Sequence, residues 1–302
     1  MTPSAIEQAI VAAHRQAFAD FAPRPAPEPG LHLWGDEPVY RGALAACSRL
    51  GFIAIDADCL ASAWYRQSLR TSHFDANAWP ATPADFGLHV SGSAPAFAPC
   101  PRELGLYAVL PTAEWVGRMA RAGVPTVQLR FKSADAEAVR DEVRAAVQAV
   151  QDTDALLFIN DHWREAIAAG SYGVHLGQED MDALSPDELQ QLRASGVRLG
   201  ISTHGYAEMV RASQAVPSYI AMGAVFPTTL KQMATVPQGL ARLMHYAELT
   251  RSYPQVAIGG IGAEQFAEVR RSGVGSIAVV RAIVNADNPE QAAQALMQRL
   301  AA

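Results

Sequence analysis

One stretch limits the choice of fold more than any other: residues 156–180, LLFINDHWREAIAAGSYGVHLGQED. An apolar run ends in an acid, a short helical pattern follows, a glycine turn leads into a second apolar run, and a second acid comes soon after. Asp161 and Asp180 stand 19 positions apart, about the length of one strand–helix repeat of a parallel sheet or barrel. Adjacent parallel strands lie about 4.8 Å apart, so acids at corresponding strand ends can share one cation. Two carboxylates suit Mg²⁺, which takes one or two such groups and completes its shell with water and substrate phosphate. The competing reading makes Asp161 a helix N-cap and Asp180 a loop residue opening the next helix. Spacing alone leaves both open, and the ends of the other strands tip the balance.

From Pro101 onward the chain alternates short apolar runs with helical patterns. The strand candidates are Leu106–Leu110, Thr126–Arg130, Leu156–Asn160, Gly173–Leu176, Arg198–Ser202, Tyr219–Ala224, Gln255–Gly259 and Ser276–Val280, with helices such as Ala136–Ala149 and Ala263–Ser272 between them. Strands that alternate with helices call for a parallel sheet. About eight such units in roughly 200 residues is the compact end of a (β/α)8 TIM barrel. The open doubly wound alternative lacks the GxGxxG fingerprint of its dinucleotide-binding form after the first strand. The expected fold class is therefore α/β: a barrel over residues 102–302, preceded by a small, mainly helical N-terminal extension over residues 1–101.

That extension opens with an amphipathic pattern over residues 1–21, with Ile6, Ile10, Val11, His14, Phe18 and Phe21 on one face. APRPAPEPG (22–30) breaks it, and its four prolines read as a stiff linker. Val39–Gln67 reads as a helix, a short strand Phe52–Ile55 and a second helix; residues 79–101 form another Pro/Gly/Ser-rich passage. No motif in this segment carries a mechanism. The net charge of −6 and the absence of a basic block argue against a nucleic-acid partner. Without a basic leader followed by an apolar core, or a run near 18 apolar residues, neither secretion nor a membrane partner is expected. The cysteines, Cys47, Cys59 and Cys100, form neither a CxxC pair nor a disulfide framework, so a cytoplasmic location with buried or partly buried thiols is the expectation.

Barrel chemistry collects at the C-terminal strand ends. Those ends carry Gln128, Arg130 and Lys132; Asn160 and Asp161; Gln178 and Asp180; Ser202, Thr203 and His204; Thr228, Thr229 and Lys231; Gly259 and Gly260; and Arg281. Singly, each has a plain explanation. Arg130 and Lys132 read as a solvated pair, and the glycines as a tight turn. His175 reads as a hydrogen-bonded interior histidine, with no Ser or Cys nucleophile near it in sequence. Trp163 and Phe226 read as packing before they read as walls of a ring-shaped substrate. Together they describe two anion sites: a metal-held pyrophosphate, and a phosphate on the glycine turn, where barrels often bind one. Departure of pyrophosphate fits this set, because metal and cations neutralise the growing charge.

The motifs LYAVLP, VQLRFK, INDHWREA, GVHLGQED, GISTH, GAVFPTTLKQMATVPQGL, VAIGGI and IAVVRAI, in that order, resemble thiamine-phosphate synthases over about residues 105–300. The resemblance implies an enzyme that joins hydroxymethylpyrimidine diphosphate to thiazole phosphate, releasing pyrophosphate with Mg²⁺ by a dissociative course. It further implies Asp161 and Asp180 as metal ligands. Gln128, Arg130, Lys132 and Asn160 would hold the diphosphate and pyrimidine, with Lys231 also reaching the diphosphate and Ser202 near the reacting groups. Lys132, Ser202 and Lys231 form the implied catalytic set, while Thr228, Gly260 and the backbone after the eighth strand would take the thiazole phosphate. Two positions depart from the family pattern: Leu230 stands where a hydroxyl is usual, and Arg281 where a serine is usual. A tautomerase-like isomerase with His204 as base, or a non-catalytic phosphate-binding barrel, are the alternatives, and self-association into a homo-oligomer is left open.

Overall fold

The computed structural model describes residues 1–27, 34–228 and 236–301. Eight parallel strands, β1 (Gly105–Leu110), β2 (Thr126–Leu129), β3 (Leu156–Asn160), β4 (Gly173–Leu176), β5 (Arg198–Thr203), β6 (Tyr219–Met222), β7 (Gln255–Ile258) and β8 (Ser276–Val279), pair in sequence order. The ring closes where Gly105 of β1 pairs with Ser276 of β8. Each expected strand is present to within about two residues, and the fold is a (β/α)8 barrel. The expected helix Ala136–Ala149 forms with Asp135 as N-cap, its carboxylate accepting from the Glu137 and Ala138 amides. The helix expected over 263–272 instead starts with the 3-10 turn Ala263–Gln265 before Phe266–Arg271.

The barrel interior is packed solid, as this architecture requires. Tyr107, Phe158 and Tyr219 fill it with Leu104, Val109, Ala221, Val256 and Ala278. Small residues on β4 and β5 make room for the rings. A side chain at Gly173 would meet the Phe158 ring at 2.4 Å, and one at Gly200 the Tyr219 ring at 2.0 Å. The phenol oxygens cannot stay unpaired there, and their partners lead into the site described below.

The chain divides into two compact units, Val90–His204 with Ala215–Ala302, and Met1–His89 with Gly205–Gln214. In the second of these the first helix covers only Pro3–His14, not 1–21. The chain then turns, so that Phe18 packs edge-on against Phe52 with ring centroids 5.3 Å apart. The strand expected at Phe52–Ile55 does not form. Helix Pro38–Arg49 ends in a turn with Gly51 at φ +87°, Ile53 is the extended N-cap, and helix Ala54–Thr71 begins. A short apolar run cannot by itself distinguish a strand from a helix corner: here Phe52 is buried while Ile55 is exposed. Residues 79–101 are mostly irregular around the single turn Pro83–Phe86.

Helix Tyr206–Gln214 belongs to this unit although it follows β5 in the chain. Buried Asp56 accepts from the Ala207 N–H at 2.9 Å, Trp79 Nε1 donates to Tyr206 Oη at 2.9 Å, and Phe86 stacks on the Tyr206 ring at 5.3 Å. The carboxylate thus satisfies one of the orphan amides that every helix start carries.

Candidate active site

The two acids predicted at the ends of β3 and β4 come together. Asp161 follows β3 with φ +65°, a left-handed conformation that aspartate tolerates better than most residues. Its N–H donates to the His175 carbonyl of β4 at 3.0 Å. Helix Trp163–Ala169 has His162 at its N-cap, so Asp161 is not the cap. Its carboxyl lies beside that of Asp180, and its pKa is raised, first by burial and then by the Asp180 charge. Lys132 and His162 pull it back down. Asp180 is not the loop residue of the competing reading, although it does help to open the next helix. It is the third residue of helix Gln178–Ala183, and its Oδ2 accepts from the Gly177 N–H at 2.9 Å.

A hard divalent cation fits this donor set. Two oxygen ligands approach with their negative charges set against each other, and a cation between them would relieve that. Among the described residues no group of three or more His, Cys, Asp or Glu side chains is placed to hold a metal. A cation held here would have two protein carboxylates and would complete its shell with water and substrate oxygens.

The remaining predicted residues divide between rim and interior. Arg130 stands just past β2, its N–H donating to the Leu110 carbonyl at 2.8 Å, and Lys132 is exposed two residues on. Asn160 ends β3, buried, in register with His175. Gln128 is buried and donates from Nε2 to Tyr107 Oη at 3.1 Å, so part of its amide faces the core. Ser202 lies half-buried on β5, and Gln178 Nε2 donates to its carbonyl at 2.6 Å. Thr203 is buried and donates to the Ala221 carbonyl, which makes it structural. His204 is half-buried at the end of β5. Trp163 is buried with Arg164 stacked 4.2 Å from its ring, so it packs rather than lining a substrate. Thr228 is half-buried, while Thr229, Leu230 and Lys231 lie outside the described residues.

The glycine turn after β7 is held against the loop after β6. Val225 and Phe226 donate to the carbonyls of Ile258 and Gly259 at 3.0 and 2.9 Å. Gly260 sits at φ +68°, and a β-carbon there would meet the Phe226 and Pro227 carbonyls at 2.7 and 2.6 Å. Close approach of two backbones is thus why glycine stands here. Arg281 is exposed at the first position of helix Arg281–Val284.

One constellation was missed. His175 is an interior, hydrogen-bonded histidine as expected, but it is partnered with a serine from the neighbouring strand: Nε2 lies 2.7 Å from Ser202 Oγ and Nδ1 lies 2.6 Å from Tyr219 Oη. Tyr219 Oη is in turn 2.7 Å from Tyr107 Oη. Tyrosines at inward strand positions were the signal, since a buried phenol must find a partner.

Fold and site together define a (β/α)8-barrel enzyme with its acids and polar groups at the C-terminal rim. A family model described as thiamine monophosphate synthase matches residues 106–283. The thiamine-phosphate synthase of Neisseria meningitidis serogroup B is 52% identical over 199 residues, covering 66% of this chain and 96% of that protein. That of Proteus mirabilis is 46% identical over 203 residues, covering 67% and 93%. Among solved structures, thiamine phosphate pyrophosphorylase from Pyrococcus furiosus matches with a TM-score of 0.59 and 30% identity, over 66% of this chain and 97% of that one. The chain belongs to the thiamine-phosphate synthase family. It is a transferase acting on small molecules, and among the described residues no helix is long and apolar enough to cross a membrane.

Proposed function

We propose that the protein joins hydroxymethylpyrimidine diphosphate to thiazole phosphate with release of pyrophosphate, with Mg²⁺ held by Asp161 and Asp180. The approach of these two carboxyls, with Lys132 close enough to lower the pKa of Asp161, carries the reading. A bound Mg²⁺ would supply positive charge to the diphosphate as its bond to the pyrimidine methylene breaks. Lys132 adds a fixed cation near Asp161, and Arg130, just past β2, brings a planar fork suited to phosphate oxygens. Lys231 is assigned to the diphosphate by the resemblance. Asn160 and Gln128 hold the pyrimidine, and Ser202 lies beside the reacting groups. Thr228 and the Gly260 turn receive the thiazole phosphate.

In this course the pyrimidine stabilises its own methylene cation once pyrophosphate has left, and the thiazole nitrogen then attacks it. The protein binds, orients and excludes water, and forms no covalent intermediate. A cytoplasmic location belongs to the same proposal. Asp161→Asn and Asp180→Asn test the metal assignment. Each should abolish Mg²⁺-dependent turnover and weaken Mg²⁺ binding by calorimetry while the circular dichroism spectrum stays that of the parent. Full turnover in both variants would refute it.

A further inference from the structure

The Ser202–His175 pair has the spacing of a serine nucleophile and its base, yet the groups behind it argue for a different use. In a base-activated serine, the group behind the histidine accepts from Nδ1–H, which leaves Nε2 free to take the serine proton. Here that group is Tyr219, and what lies behind Tyr219 fixes the direction in which its proton points. Gln128 Nε2 donates to Tyr107 Oη. The bonds from Tyr107 to Tyr219 and from Tyr219 to His175 then have two phenol protons to share. If Tyr219 donated back to Tyr107, the Tyr107 proton would have no acceptor among the described residues, and both rings are about 99% buried. A stranded donor at such depth costs about 1–3 kcal/mol. With Tyr107 donating to Tyr219 and Tyr219 to His175 Nδ1, every proton is placed. Burial raises the pKa of both phenols, Tyr219 well above its ordinary value, so both keep their protons at working pH.

We infer that Tyr219 is a positioning residue: its hydroxyl holds His175 with the proton on Nε2, so that His175 donates to Ser202 and the Ser202 hydroxyl proton is turned toward the ligand. Ser202 is then a hydrogen-bond donor to an acceptor atom of the substrate, such as an oxygen of the departing diphosphate, and neither a nucleophile nor a base. In the neutral ring with its proton on Nε2, His175 cannot take the serine proton. The catalytic half of this inference rests on Ser202 lying beside the reacting groups. The tautomer does not depend on that placement, so the two can fail separately.

Histidine-selective ¹⁵N labelling of the full chain, with long-range proton–nitrogen correlation, reads the tautomer directly. Signals are assigned to His175 by their loss in His175→Gln. The parent should show Nε2 as the protonated, pyrrole-type nitrogen and Nδ1 as the bare one. Tyr219→Phe should lose that preference and lower kcat at least roughly tenfold, about 1.4 kcal/mol of barrel-held orientation, with KM for both substrates within about twofold. Tyr107→Phe leaves the Tyr219 hydroxyl in place and should keep the tautomer. A parent protein protonated at Nδ1, or a Tyr219→Phe variant with unchanged tautomer and kcat, would overturn the inference.

Discussion

The half-buried Asp161 carboxyl, just past β3, lies beside that of Asp180, in the first turn of the helix after β4. Its folded pKa therefore lies above the unfolded value near 3.8, by burial first and then by Asp180. For a raised carboxyl the sign is fixed. The stability it contributes is present below the unfolded pKa and is lost as pH rises through the folded one. At neutral pH and without metal, the pair is a strain on the fold. Asp161→Asn in EDTA should consequently melt above the parent in EDTA, while Mg²⁺ should raise the melting temperature of the parent and not of the variant. Scanning calorimetry decides this, and a variant that melts lower in EDTA would contradict it.

The Gly260 turn touches the Phe226 and Pro227 carbonyls too closely for any side chain. Gly260→Ala should destabilise the barrel by roughly 1–3 kcal/mol, from a left-handed alanine and the displaced loop. Because the loop after β6 carries Thr228, KM for the thiazole phosphate should rise more than KM for the diphosphate. Steady-state kinetics with each substrate varied in turn would show the asymmetry, and equal changes would remove Gly260 from the phosphate site.

Asp56 caps helix Tyr206–Gln214 from the N-terminal segment. Asp56→Ala should lower stability to urea by about 1–2 kcal/mol, the upper range for a lost cap. Deleting residues 1–89 removes the cap together with the Trp79 and Phe86 partners of Tyr206. The truncated chain should aggregate on expression, because an apolar helix face is then uncovered. A soluble, monodisperse deletion would contradict the packing described for this unit.

The cysteines should be inert in the native state. Burial pushes the Cys59 and Cys100 thiols up to about 12, and Cys47, fully buried, higher still. Thiolate is the reactive form, so a chromogenic disulfide reagent at pH 8 should titrate close to none of the three before denaturation and all of them after. Rapid native labelling would contradict this.

The barrel was legible because its signal is periodic: each of the eight strands is a short apolar run beside a helical pattern, and parallel pairing follows from that alternation. The acid pair was legible because Asp161 directly follows β3 and Asp180 comes a few residues after β4. Their second features were not. The left-handed backbone of Asp161 and the capping bond of Asp180 depend on the path of the chain, which spacing does not encode. Phe52–Ile55 misled for the opposite reason, since four residues are too few to show a period. The Tyr107–Tyr219–His175–Ser202 chain joins residues from four strands; Ser202 stood out as a strand-end candidate, but His175 and the two tyrosines each alone read as core. The roles of Leu230 and Lys231 fall outside the described residues.

Formation of thiamine phosphate from hydroxymethylpyrimidine diphosphate and thiazole phosphate, assayed with Mg²⁺ and again with EDTA, tests the central claim most directly. The account predicts product and stoichiometric pyrophosphate with Mg²⁺, none with EDTA, and recovery when Mg²⁺ is restored. Turnover at an equal rate in EDTA would contradict the metal role of Asp161 and Asp180, and no product from a folded protein under either condition would contradict the proposed reaction.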